Sequence, residues 1–188
     1  MSSLNRKAMV LLLTVAASLG ACNVFAAEPT EAGPAHKVSV LGDKLTFTLP
    51  KGFAANPLPA DPTGASGTMY TNDTSKTVVI VAENAVPNGA NVKDNDGAFL
   101  DATASGFATE QARALADFTK LSEKSLTRKD NGLGLRQLDS IATQGGGKTL
   151  DTTLIAASGR RMAIVQVISR LSDNDGHDTL VKRIVSGK

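Results

Sequence analysis

The second half of the chain most constrains its fold. Four segments with strand character follow one another almost without interruption: Phe118 to Thr127, Leu133 to Thr143, Thr149 to Ala157 and Arg161 to Arg170. The breaks between them are short and rich in turn residues: Asn131-Gly132, Gly145-Gly146-Gly147 and Ser158-Gly159. Parallel strands need a crossover of a dozen residues or more, so turns this short imply an antiparallel meander. In the third segment Leu150, Thr152, Leu154 and Ala156 alternate with Asp151 and Thr153. That is the period-2 signature of a strand. In the second, the apolar phase slips between Leu135 and Leu138, which suggests a β-bulge there.

The earlier part supplies the remaining elements. Val38, Val40 and Leu41, then Gly42-Asp43, then Leu45, Phe47 and Leu49 alternating with Lys44, Thr46 and Thr48, describe a hairpin closed at Pro50. Residues 54 to 66 carry Pro57, Pro59 and Pro62 and read as a long loop. A short strand around Thr68 to Thr71 follows, and then the β-branched run Thr77 to Ala82, which suggests a strand covered on both faces. Between Gly97 and Leu115, Leu100, Ala104, Phe107, Ala108, Gln111, Ala114 and Leu115 form one helical stripe. A last helix spans about Asp175 to Ser186, with Leu180, Val181, Ile184 and Val185 on one side. Strands, helix, strands, helix give an α+β fold, an antiparallel β-sheet with helices packed on it.

The first 21 residues do not belong to that fold. Arg6 and Lys7 precede an uncharged apolar run from Ala8 to Leu19, which ends in Leu19-Gly20-Ala21-Cys22. The run is about half of the ~20 residues a helix needs to cross a bilayer. A charged start, a short apolar centre and small residues before a cut site describe an export signal. Leu-Gly-Ala-Cys resembles the lipobox of bacterial lipoproteins, in which the cysteine is lipidated and becomes the first residue. Cys22, the only cysteine, is therefore the lipid-attachment candidate, and its acyl chains would hold the protein on a membrane. Cleavage after Ala26, in Val24-Phe25-Ala26, is the alternative; it discards Cys22 and releases a soluble protein. Asn23 stands where an aspartate marks inner-membrane retention, so the outer membrane of a Gram-negative cell is favoured. Residues 22 to 36, with Pro29, Gly33 and Pro34, read as anchor and flexible tether, and His36 as a solvated linker residue. Residues 37–188 form one domain.

Removing the signal takes away Arg6 and Lys7, so 20 Lys plus Arg become 18 against 18 Asp plus Glu. A near-neutral domain gives no reason to expect nucleic acid. With one cysteine the chain can form neither an internal disulfide nor a multi-cysteine metal cluster.

The chemistry-bearing motifs are weak. Ala142-Thr143-Gln144-Gly145-Gly146-Gly147-Lys148-Thr149 imitates a phosphate loop, but strand periodicity follows where a helix must start, so a hairpin turn fits better and no nucleotide is expected. Asp-Asn-Asp-Gly occurs at 94–97 and 173–176. Calcium-loop alignment puts Val92 and Thr103, or Leu171 and Lys182, at ligand positions, so helix capping is the better reading. His177, beside Asp175 and Asp178, reads as a surface residue, and Arg160-Arg161 as a solvated turn. No catalytic residue, cofactor or metal site emerges. A hydrolase whose groups converge only in the fold would need a pocket of ionisable residues with shifted pKa values.

The segments Leu41-Gly42-Asp43-Lys44-Leu45-Thr46-Phe47-Thr48-Leu49-Pro50 and Arg136-Gln137-Leu138-Asp139-Ser140-Ile141, with the lipobox and the element order, resemble the DcrB family of bacterial envelope lipoproteins. The resemblance implies a PsbP-like fold, a periplasmic location and a role in the adsorption or entry of certain phages, with an unknown envelope protein as partner. It brings no catalytic residues. Asn23 departs from the aspartate of the enteric members.

Overall fold

The computed structural model describes residues 33–59 and 66–188, and the signal, Cys22 and Ala26 lie outside the described residues. A hairpin of β1 (His36–Val40) and β2 (Leu45–Leu49) opens the domain. β3 (Ala54–Pro57), β4 (Ser66–Asn72) and β5 (Thr77–Ala85) follow, then α1 (Gly97–Ala114). The meander comprises β6 (Thr119–Thr127), β7 (Gly134–Gln144), β8 (Gly147–Ser158) and β9 (Arg161–Arg170), and α2 (Asn174–Ser186) ends it. Seven strands form one antiparallel sheet in the order β3-β4-β5-β9-β8-β7-β6, while β1 and β2 pair with each other.

Both faces of the sheet are covered, which explains the apolar runs of β5, β8 and β9. On one face Leu135, Leu154, Ala156, Val165 and Val167 pack against Phe47, Leu45 and Leu49 of the hairpin and Leu180, Val181 and Ile184 of α2. On the other, Leu138, Ile155, Ile164 and Ile80 meet Leu100, Ala104 and Phe107 of α1. Successive strand residues point to opposite faces, so each of these strands feeds two cores.

This double coverage corrects the bulge expected in β7. Leu135 and Leu138 are three apart and enter different cores, with no irregularity between them. The bulge lies in β6, between Lys120 and Ser122. The loop of residues 54–66 contains β3, which pairs with β4; residues 60–65 lie outside the described ones. The glycine run makes the β7–β8 turn, where Gly145 and Gly146 take φ of 57° and 83°, a region open to glycine at little cost.

Polar pins hold the layers together. Lys44 Nζ donates to both oxygens of Asp94, at 2.9 and 2.7 Å, and to Ser158 Oγ at 2.9 Å, fastening the hairpin to the sheet. Those bonds, and Ser158 Oγ–H donating to the carboxylate at 2.7 Å, hold Asp94 below its ordinary pKa. Arg128, buried, donates to Asp130 and to the Thr46 carbonyl on β2. Asp96 accepts from Phe99 N–H at 3.1 Å and caps α1, as its motif suggests. The second motif differs, because the Asp173 side chain makes no cap bond.

Candidate functional site

The buried polar groups concentrate at the end of the sheet where β6, β7, β8 and β9 meet the start of α2. The register puts Ser122, Asp139, Thr152 and Val167 in one row across the four strands, on the face that α2 covers. Lys124 and Gln137 form the neighbouring row. Asp139 Oδ1 accepts from Gln137 Nε2 and Thr152 Oγ1, both at 2.8 Å. Its Oδ2 accepts from Ser122 Oγ at 2.5 Å and Lys124 Nζ at 3.1 Å. Partial burial works against ionisation, but these four donors outweigh it and hold the carboxyl below its ordinary pKa.

The ionised carboxylate only accepts, so the Thr152 hydroxyl gives its proton to Asp139. The 2.8 Å contact between Thr152 Oγ1 and His177 Nε2 therefore runs from an Nε2–H donor to the hydroxyl oxygen. That leaves His177 Nδ1 to accept from Ser169 Oγ–H at 3.0 Å. Burial disfavours the charged ring and lowers the His177 pKa, against the pull of Asp178, Asp139 and Asp173. The chain Ser169–His177–Thr152–Asp139 is thus satisfied with His177 neutral. It locks the first turn of α2 onto β8 and β9.

His177 is therefore not the surface residue that its charged neighbours suggest; it is 4% exposed. A sequence signal for this existed. His177, Leu180, Val181 and Ile184 are spaced i, i+3, i+4 and i+7, which places the imidazole on the apolar stripe of the helix.

Asp151 and Thr153, although they look like the polar face of β8, are buried on the opposite side of the sheet under α1. Asp151 accepts from Thr153 Oγ1 at 3.2 Å and Gln166 Nε2 at 3.3 Å, and no cation among the described residues pairs with it. Burial pushes its pKa up to about 7, against those hydrogen bonds and that of Gln144.

A cavity of about 200 Å³ opens beside Asp139. β6 contributes Leu121, Ser122 and Lys124, and β7 contributes Gln137 and Asp139. Leu150, Asp151 and Thr152 of β8 form its floor, and Asn174, His177 and Asp178 of α2 its wall. Leu121 is the extra residue of the β6 bulge, and the distorted register lets two consecutive residues, Leu121 and Ser122, line one cavity. This is the pocket with shifted ionisable groups that a hidden hydrolase would need. The serine that contacts the histidine, however, is 1% exposed, so Ser169 has no open path to a substrate carbonyl. Among the described residues no group of three or more His, Cys, Asp or Glu side chains is placed to hold a metal.

The other sequence candidates lie elsewhere. His36 is not a solvated linker residue: it begins β1, its Nε2 lies 2.8 Å from the Phe53 carbonyl, and its ring centroid is 5.3 Å from that of Tyr70. Arg161 pairs with Glu83. No described helix is long and apolar enough to cross a membrane.

With its sheet order and two covering layers, the chain superposes on the solution structure of cyanobacterial PsbP (CyanoP) from Synechocystis sp. PCC 6803. The TM-score is 0.59 at 10% identity, over 85% of this chain and 96% of that one. The chain has a PsbP-like fold. A crystal structure of a Pseudomonas aeruginosa protein of unknown function matches with a TM-score of 0.45 and 15% identity, over 80% of this chain and 92% of that one. No family model and no curated protein matches the chain. In this PsbP-like domain the cavity lies where the outer strands of the sheet meet the start of the C-terminal helix.

Proposed function

We infer that the chain is a lipid-anchored protein of the Gram-negative cell envelope, of DcrB type, whose PsbP-like domain binds another envelope component rather than catalysing a reaction. The observation that carries this reading is Leu19-Gly20-Ala21-Cys22 at the end of a short apolar run. The fold and the DcrB-like segments support it: Leu41–Pro50 covers the hairpin turn and β2, and Arg136–Ile141 lies within β7. In this reading acyl chains on Cys22 set the location, and Asn23 directs the protein to the outer membrane. The ten residues 23–32 reach at most about 35 Å when fully extended. Radiolabelled palmitate tests the anchor. Label should enter the wild type and be lost from Cys22→Ala; equal labelling of the two overturns it. A deletion strain that adsorbs every phage of a panel normally would remove the phage link.

The cavity beside Asp139 favours a second reading, a soluble periplasmic small-ligand-binding protein cut after Ala26. The mass of the mature N-terminus separates the two: an acylated Cys22 or an unmodified Ala27.

A further inference from the structure

The cavity beside Asp139 has a gap in its own defences. Three of the four donors on the Asp139 carboxylate come from neutral side chains carried on the sheet: Ser122, Gln137 and Thr152. A carboxylate has about four acceptor sites, so only the Lys124 position on Oδ2 is open to exchange. The Lys124 side chain is 55% exposed and its contact, at 3.1 Å, is the longest of the four. A solvent-exposed ion pair of this kind is weak, so another ammonium can take its place.

The rest of the wall fits a particular guest. Asp178, exposed, gives a second negative group, so Asp139 and Asp178 outnumber Lys124 and the cavity favours a positive group. A displaced Lys124 ammonium would remain at the rim, where it can meet an anion. Leu121, 54% exposed, and Leu150 offer an apolar surface beside these charges. A volume of 200 Å³ equals roughly six or seven waters of about 30 Å³ each, which suits a single amino acid.

The geometry points to a binding site for a small zwitterion of the α-amino-acid class. The ligand ammonium replaces that of Lys124 on Asp139, the ligand carboxylate pairs with the released Lys124, and an apolar side chain covers Leu121 and Leu150. This site rests on the small-ligand reading for its ligand class alone and holds whether the chain is acylated at Cys22 or cut after Ala26. No bond is made or broken; binding exchanges one ion pair for two.

Calorimetric titration of the full-length protein in detergent tests the site, with L-leucine and two probes that each lack one charge. 3-Methylbutylamine keeps the ammonium, and 4-methylpentanoate keeps the carboxylate. L-leucine should bind with a Kd of about 1 mM or tighter, about tenfold tighter than the amine, and the carboxylate alone should not bind. Lys124→Ala removes both the competing ammonium and the partner of the carboxylate. The amine should then bind severalfold tighter and L-leucine should lose its advantage over it. Asp139→Asn should abolish binding of both, and if that variant does not fold, the Lys124→Ala titration decides. The site is overturned if none of the three probes saturates, if 4-methylpentanoate binds as well as L-leucine, or if Lys124→Ala leaves the ratio of leucine to amine affinity unchanged. Palmitate labelling of Cys22 reads the anchor separately, so the two can fail independently.

Discussion

Asp139 and Asp151 sit on neighbouring strands of one sheet and face opposite layers. Asp139, under α2, has four donors and stays ionised. Asp151, under α1, is held only by neutral donors among the described residues, and its pKa rises to about 7. Both residues line the cavity, but their side chains leave the sheet on opposite faces, and the two carboxyls differ by the donors each face offers. A buried carboxyl without enough donors keeps its proton instead of its charge.

Asp151→Asn should break this contrast most sharply. The folded-state pKa of Asp151 is raised above its ordinary 3.8. Its stabilising contribution is therefore complete below pH 3.8 and is lost as pH rises through about 7. Each unit corresponds to about 1.4 kcal/mol, so the loss at alkaline pH is on the order of 4 kcal/mol. In urea unfolding at pH 5 and pH 9, the variant should lack this slope and exceed the wild type in stability at pH 9. Parallel pH profiles would show that Asp151 is already ionised in the fold.

His177→Ala should come next, at about 2–4 kcal/mol, because it leaves a cavity and takes the partners from Ser169 and Thr152. The folded His177 pKa lies below the ordinary 6.5, so its contribution is present above pH 6.5 and is lost as the pH falls below it. The variant should lose that part of the acid sensitivity, and a ¹H–¹⁵N correlation of the imidazole should show the neutral Nε2–H tautomer at pH 7. A protonated ring at that pH would contradict the network.

Asp139→Asn should cost about 1–3 kcal/mol, since an amide can receive fewer of the four donors. The depressed pKa of Asp139 makes its contribution present above pH 3.8 and lost as pH falls through the lower folded value. Thermal unfolding at pH 7 and pH 3 should therefore show a smaller gap between variant and wild type at pH 3.

The smallest effect compares the helix starts of the two layers. Asp96→Ala should cost about 1 kcal/mol by removing the cap of α1. Asp173→Ala, where no cap bond forms, should stay within about 0.5 kcal/mol. Equal costs would mean that the Asp173 side chain caps α2 in solution.

The sequence discloses the elements better than their partners. The boundaries of α1 and β9 follow from helical spacing and from Ser158-Gly159, because those signals are local. Strand alternation identified β8 but could not tell that both of its faces are covered, so it did not place Asp151 and Thr153 in the interior. The same ambiguity turned the step from Leu135 to Leu138 into an apparent bulge. β3 was obscured by the prolines around it, since a four-residue edge strand depends on its pairing with β4. The candidate site was the least legible part. Ser122, Asp139, Thr152 and His177 lie on four elements and meet only through the register. His177 alone carried a local clue, its position on the stripe of α2.

The β1–β2 hairpin also governs how the domain takes a mechanical load. Among the described residues, β1 has no strand partner except β2. A pull from the N-terminal side thus meets the Gly33–Gly52 and His36–Phe53 contacts and then passes through the hairpin ladder to β2. β2 and its turn then hand the load on at separate points: Lys44 to Asp94 and Ser158, Thr46 to Arg128, and the Thr48 N–H to the Lys188 carbonyl. The hairpin therefore works as a buckle, able to open strand by strand while the seven-stranded sheet behind it keeps its register.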